Sequence, residues 1–154
     1  MRRSIPSRHI VAAWRIAAAF LTLLLLLSAP ASATTIVLLS DESLALGSDV
    51  IVAGTVRAIE SARAGSGAIH TYITLAVDET LKGYTPAAEV TIRERGGRIG
   101  TDERWLFGNP TYAVGESVIA FLAQDGEGFL RTHQMALGKF TIASDPATGE
   151  QVAV

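Results

Sequence analysis

Between Ile69 and Val77 the side chains alternate with a period of two, and this run constrains the fold more than any other stretch of the chain. Ile69, Thr71, Ile73, Leu75 and Val77 share one face, while His70, Tyr72, Thr74, Ala76 and Asp78 share the other. Successive side chains point to opposite faces only in an extended backbone, so the segment is a strand with one face toward a core. Leu81 anchors its end before Lys82-Gly83. A similar period begins just upstream, where Val50, Val52, Gly54, Val56 and Ala58 line one face. Ile51 and Ile59 make its second face partly apolar, as expected of a strand covered on both sides for part of its length. Ala64-Gly65-Ser66-Gly67 joins the two and supplies the permissive backbone of a hairpin turn. Gly54 marks a bend or bulge within the first strand.

The remaining pattern extends this to an all-β domain. Further strands are expected over Glu89–Arg95, Glu116–Ala123, Gly128–Gln134 and Leu137–Ser144, each bounded by Gly, Asp or Pro, with Asp125-Gly126 as a hairpin turn. A short entry strand is expected at Thr35–Leu39. Ser40 ahead of Asp41-Glu42-Ser43 reads as the start of one short helix that ends at Gly47. About six strands and one helix point to an antiparallel OB-like barrel or a compact sandwich. The stretch from Gly96 to Val114 is too long for a turn and too poor in pattern for a helix, so it is expected as a functional or mobile loop.

The N-terminus carries Arg2, Arg3, Arg8 and Arg15, an apolar run from Ile16 to Leu27, Pro30, and then Ala31-Ser32-Ala33. These are the three regions of a secretory signal peptide, with cleavage expected between Ala33 and Thr34. The apolar run falls short of the ~20 residues a spanning helix needs, so no stable membrane insertion is expected after cleavage. Residues 34–154 then form a single domain. The whole chain has a net charge of −2, but residues 1–33 hold four of the thirteen basic residues and none of the fifteen acidic ones. The exported part is therefore clearly acidic, with no basic stripe to neutralise phosphates, and nucleic acid is excluded as a partner. There is no cysteine, although the chain is expected in a bacterial periplasm or exterior, where disulfides persist. Burial and strand pairing must hold the domain together.

Catalytic signatures are absent from the pattern. Outside the signal segment the histidines are His70 and His133, both at expected strand positions read as exposed, and neither has a ligand spacing. The doublets Asp41-Glu42, Asp78-Glu79 and Asp102-Glu103 place neighbouring carboxylates in different directions, and no nucleophile elbow is present. Gly96-Gly97-Arg98-Ile99-Gly100 is not followed by a helical period, so it is a connector rather than a phosphate cradle. No cofactor and no metal are expected, and the domain is read as non-catalytic. The densest cluster of informative side chains is the loop carrying Arg98, Arg104, Trp105, Phe107 and Tyr112. Exposed, these would be rigid anchors and directed hydrogen-bond donors for a protein or a sugar. Buried, they would close one end of the barrel, and burial of Trp105 or Phe107 is the expectation, since exposed aromatic clusters are costly.

Ser48-Asp49-Val50-Ile51-Val52-Ala53-Gly54-Thr55-Val56, the strand Thr71–Val77 leading to Leu81-Lys82-Gly83, and Val114-Gly115-Glu116 before a strand together resemble netrin-like domains. That group includes the tissue inhibitors of metalloproteases and has an OB-type barrel. The same blocks are similar to exported bacterial proteins of uncharacterised role. The resemblance covers about residues 48–123 and implies a protein partner, specifically an exported protease. The animal inhibitors chelate the protease zinc through a disulfide-pinned N-terminal cysteine, and this chain has none, so that mechanism does not carry over.

The expected function is thus an exported binding or interaction module with the Gly96–Tyr112 loop as contact surface. Two alternatives compete with it. One is a small extracytoplasmic hydrolase using His70 or His133 beside a carboxylate. The other is a structural envelope-assembly protein whose edge strands pair with another chain.

Overall fold

The computed structural model describes residues 40–154; the expected signal peptide, the Ala33/Thr34 cleavage site and the entry strand at 35–39 lie outside them. Helix α1 (Asp41–Gly47) forms where expected. Ser40 Oγ accepts from the Ser43 backbone N–H at 3.2 Å, and Asp41 and Glu42 sit in the first turn beside the positive end of the helix dipole. The helix stops at Ser48, which turns extended and donates its hydroxyl to the Leu44 carbonyl at 2.8 Å. Its orphaned C-terminal carbonyls are met from elsewhere in the chain. The Lys82 ammonium donates to the carbonyls of Ala45, Leu46 and Ser48 at 2.7, 3.3 and 2.6 Å, fastening the helix to the end of a strand.

Strands β1 (Val50–Arg63) and β2 (Ile69–Lys82) form the long hairpin that the alternation predicts. Their antiparallel register runs from Ile51↔Lys82 to Arg63↔Ile69 and shifts at three points, one of them between Ala53 and Gly54. A Cβ on Gly54 would lie 2.2 Å from the Ala76 carbonyl oxygen, so only glycine lets the two backbones approach this closely. Ile69, Ile73 and Leu75 are buried as expected, while Thr71 and Val77 are half-buried.

The chain continues through β3 (Glu89–Arg95), β4 (Gly97–Ile99), β5 (Asp102–Arg104), β6 (Ser117–Gln124), β7 (Leu130–Thr132), a 3₁₀ turn (Met135–Gly138), β8 (Lys139–Ser144) and β9 (Gln151–Ala153). Seven strands join in the order β1-β2-β3-β7-β6-β8-β9, and β4 pairs with β5 alone. In addition β1 pairs with β6, from Val50↔Leu122 to Thr55↔Ser117, so β1 has a hydrogen-bonded neighbour on each side. Three expectations are corrected here. The sheet is mixed rather than antiparallel, because β3 and β7 meet in parallel at Ile92↔Leu130 after the intervening β6 has reversed the chain. The seven main strands belong to one hydrogen-bonded sheet rather than to the two facing sheets of a sandwich. The strands number nine among the described residues instead of about six, since β4, β5 and β9 are only three residues long and carry too few positions to show a period.

The hairpin between β6 and β7 turns at Asp125-Gly126 as expected, although the glycine in the left-handed region is Gly128, at a φ of +84°. Asp125 Oδ1 accepts from the backbone N–H groups of Glu127 and Phe129 at 2.9 and 3.0 Å. Its other oxygen holds the Arg93 guanidinium, which also reaches Glu127 at 2.6 Å and lies 3.9 Å over the Phe129 ring. The core gathers Val52, Val56, Ile73, Leu75, Ile92 and Leu122, all nearly free of solvent contact. Full burial of each larger aliphatic side chain contributes about 1.5–3 kcal/mol.

Candidate functional site

The 96–112 segment sits where β1 ends and β2 begins, and it is structured rather than patternless. Gly96 leaves β3 with a φ of +86° and Gly97 follows at +135°, both conformations that favour glycine. Gly97 has a second reason to lack a side chain, since a Cβ there would lie 2.3 Å from Thr71 Oγ1 and 2.5 Å from Ser61 Oγ. The tight approach lets the Thr71 hydroxyl donate to the Gly96 carbonyl at 2.9 Å and lets Ser61 Oγ accept from the Arg98 N–H at 3.3 Å. β4 and β5 then pair as Gly97↔Arg104, Arg98↔Glu103 and Ile99↔Asp102. Arg63, the last residue of β1, holds the hairpin by an ion pair to Asp102 at 2.6 Å, and that hydrogen bond keeps the Asp102 carboxyl below its ordinary range.

Beyond the hairpin the chain presents its aromatic side chains to solvent. Trp105 is 73% exposed and Phe107 72%, with Leu106 partly exposed between them. The expectation that Trp105 or Phe107 is buried to close the domain end is therefore corrected: both follow the β4–β5 hairpin in an exposed segment, and Tyr112 is the aromatic side chain that turns inward. Arg98 and Arg104 are exposed beside them, with Arg104 reaching Asp102 at 3.5 Å. Tyr112 behaves differently and is buried. Its hydroxyl exchanges a hydrogen bond with Thr132 Oγ1 at 2.8 Å, and burial drives its pKa well above the ordinary phenol value. Of the five sequence-selected residues, four lie on the exposed tip and Tyr112 anchors its base.

Between the tip and the ends of β1, β2 and β3 lies a cleft of about 270 Å³, walled by Ser61, Thr71, Ile73, Glu94, Trp105 and Tyr112. Glu94 is the feature that the sequence reading missed. It continues the inward row Val90, Ile92, Glu94 of β3 and is buried, with Oε1 accepting from the Thr132 backbone N–H at 2.8 Å. Burial raises its pKa, and the hydrogen bonds from Thr132 offset only part of that. A carboxyl at a core position of an alternating strand was visible in the sequence as a break in apolarity at the inward register.

Among the described residues neither histidine side chain is hydrogen-bonded to a carboxylate. His70 is half-buried rather than exposed, because Arg95 and the tip loop stand beside it, and its Nδ1 is buried without a hydrogen-bond partner. His70 and Glu94 border one small cavity, yet the register pairs His70↔Arg95 and Thr71↔Glu94, which puts them on opposite faces of the β2–β3 ribbon with no hydrogen bond between them. His133 packs half-buried at the end of α1, where a Cβ on Gly47 would lie 2.6 Å from its Nε2. Among the described residues no group of three or more His, Asp or Glu side chains is placed to hold a metal, and no helix is long and apolar enough to cross a membrane. Comparison of the chain with protein-family models, with curated proteins and with solved structures found no match.

Proposed function

We propose that this protein is an exported, non-catalytic binding module that docks a partner protein through the tip carrying Arg98, Arg104, Trp105 and Phe107. The observation that carries it is the exposure of two large aromatic side chains on a segment fixed by β4–β5 pairing, the Arg63–Asp102 ion pair and the buried Tyr112 hydroxyl. Large exposed aromatics flanked by arginine are the side chains that dominate binding energy at protein interfaces, and a fixed backbone lowers the entropy lost on docking. An OB-like barrel is the architecture proposed beneath it. The succession of pairings β1–β2, β2–β3, β3–β7, β7–β6 and β6–β1 supports that reading, because it returns to its first strand. An exported protease is the partner that the netrin-like resemblance suggests.

The test is capture of partners from an extracytoplasmic fraction by the native protein beside a Trp105→Ala/Phe107→Ala variant. Capture by the native form alone is expected. Equal capture by both would remove the tip from the interface.

A further inference from the structure

The two ends of the β1–β2 hairpin carry complementary surfaces. At the Arg63 end, Arg63, Arg95, Arg98 and Arg104 stand against three exposed or half-exposed carboxylates, Glu60, Asp102 and Glu103, around Trp105 and Phe107. At the Val50 end the balance is reversed. Asp41, Glu42, Asp49, Asp78 and Glu79 are exposed, against Lys82, whose ammonium is already engaged by three carbonyls, and the half-exposed Arg131 beside Ala123. This acidic end also exposes apolar side chains, with Leu46 75%, Leu81 51% and Tyr84 81% accessible. The Ile51↔Lys82 pairing and the Lys82 bonds to α1 bring Leu46, Leu81 and Glu79 to one end, while the Arg63–Asp102 pair and the Arg98–Ser61 bond fix the arginines at the other. The Arg98–Ser61 bond and the Ala53↔Glu79 pairing set these arginines and the tail acids eight residues apart along β1, at most about 26 Å for an extended strand.

We propose that the occupant of the tip is the acidic end of a second copy of this chain, so that the molecules associate tip to tail. This deepens, and rests on, the assignment of the tip as the contact surface. Opposite charge steers the two ends together, and the apolar side chains at both ends supply surface to bury. The contact joins two different patches, so it leaves a free tip and a free tail on every pair. Such a heterologous contact propagates into a row or closes into a ring, unlike a two-fold dimer.

The experiment is sedimentation velocity over a concentration series at low and high salt, on protein purified in its processed form from the extracytoplasmic fraction. Three variants accompany it: Arg98→Glu/Arg104→Glu at the tip, Asp78→Lys/Glu79→Lys at the tail, and all four changes together. Circular dichroism checks that each folds. The native protein is expected to form species beyond a dimer that dissociate with salt. Each double variant should associate at least about tenfold more weakly, and the fourfold variant, with its charges exchanged between ends, should recover association. A native protein that sediments as a monomer throughout overturns the inference. So does a dimer indifferent to the tail changes. A monomeric native protein that still captures a different protein through Trp105 and Phe107 assigns the tip to that partner, which sinks the second copy while leaving the contact surface in place. Loss of tip-dependent capture as well would sink both.

Discussion

Replacing Tyr112 by Phe removes one oxygen from beneath the tip and leaves the ring, including the Lys139 ammonium that lies 5.4 Å from its centroid. The lost hydroxyl is a partner of Thr132 Oγ1, whose residue is only 2% exposed, so the threonine hydroxyl loses one hydrogen bond in the interior and keeps only Glu94 beside it. A buried hydroxyl deprived of its partner costs about 1–2 kcal/mol. For a domain of a little over 100 residues, an unfolding entropy of about 2.1 cal/mol/K per residue converts 1 kcal/mol to about 4 °C, so Tyr112→Phe should lower Tm by about 4–8 °C. Thr132→Val should cost a similar amount, since it retains the backbone N–H that Glu94 accepts but orphans the phenol. The double variant removes both partners, so its loss should be smaller than the sum of the two single losses by a coupling of about 1 kcal/mol. Thermal melts followed by circular dichroism give all four corners of the cycle. Strict additivity, or an unchanged Tm for Tyr112→Phe, would show that the hydroxyl pair does not hold the base of the tip.

Other outcomes follow from the same geometry. The folded-state pKa of Glu94 lies above its ordinary value near 4.5, so its contribution to stability is fully present below that value and is lost as pH rises through the folded one. Glu94→Gln should therefore gain Tm over the native protein as pH rises from 4 to 7, and a constant difference in paired melts across that range would contradict it. Gly54→Ala drives a methyl group into the Ala76 carbonyl and should cost about 2–3 kcal/mol in urea titration, whereas a neutral result would show that β1 and β2 separate easily at that point. Trp105→Ala and Phe107→Ala remove exposed side chains and should change stability by no more than about 0.5 kcal/mol while abolishing capture. A large loss of stability would mean that these rings pack on the domain instead of facing a partner.

The sequence announced strands best where a strand was long and only one face was buried. Ile69, Ile73 and Leu75 fell inside as their alternation required, and Ser40 capped α1 as its hydroxyl and the following acids indicated. Alternation identifies faces but not neighbours, so nothing in it showed that Leu130 would pair in parallel with Ile92. The three-residue β4 and β5 were hidden for a related reason: Gly97 and Gly100 read as loop chemistry, although the same glycines permit the hairpin and its close approach to Ser61 and Thr71. The tip residues were legible as a cluster of types. Their exposure was not, because which aromatic side chain turns inward depends on a partner distant in the chain, and it is Tyr112 that finds one, in Thr132.

The position of β1 between β2 and β6 has a consequence for how the chain folds. Most of the partners of β1 lie immediately downstream, and the hairpin with β2 closes over a short loop at small entropic cost. The remaining partners, from Ser117 to Leu122, emerge only after β3 and the tip have been made. Until then the first half of β1 has an unpaired flank, and the late, sequence-distant closure of β1 on β6 should set the folding rate. A chain that must wait for its own distant strand stays open during synthesis and for some time afterwards, with Val52 and Val56 still accessible to whatever handles it before the core is sealed.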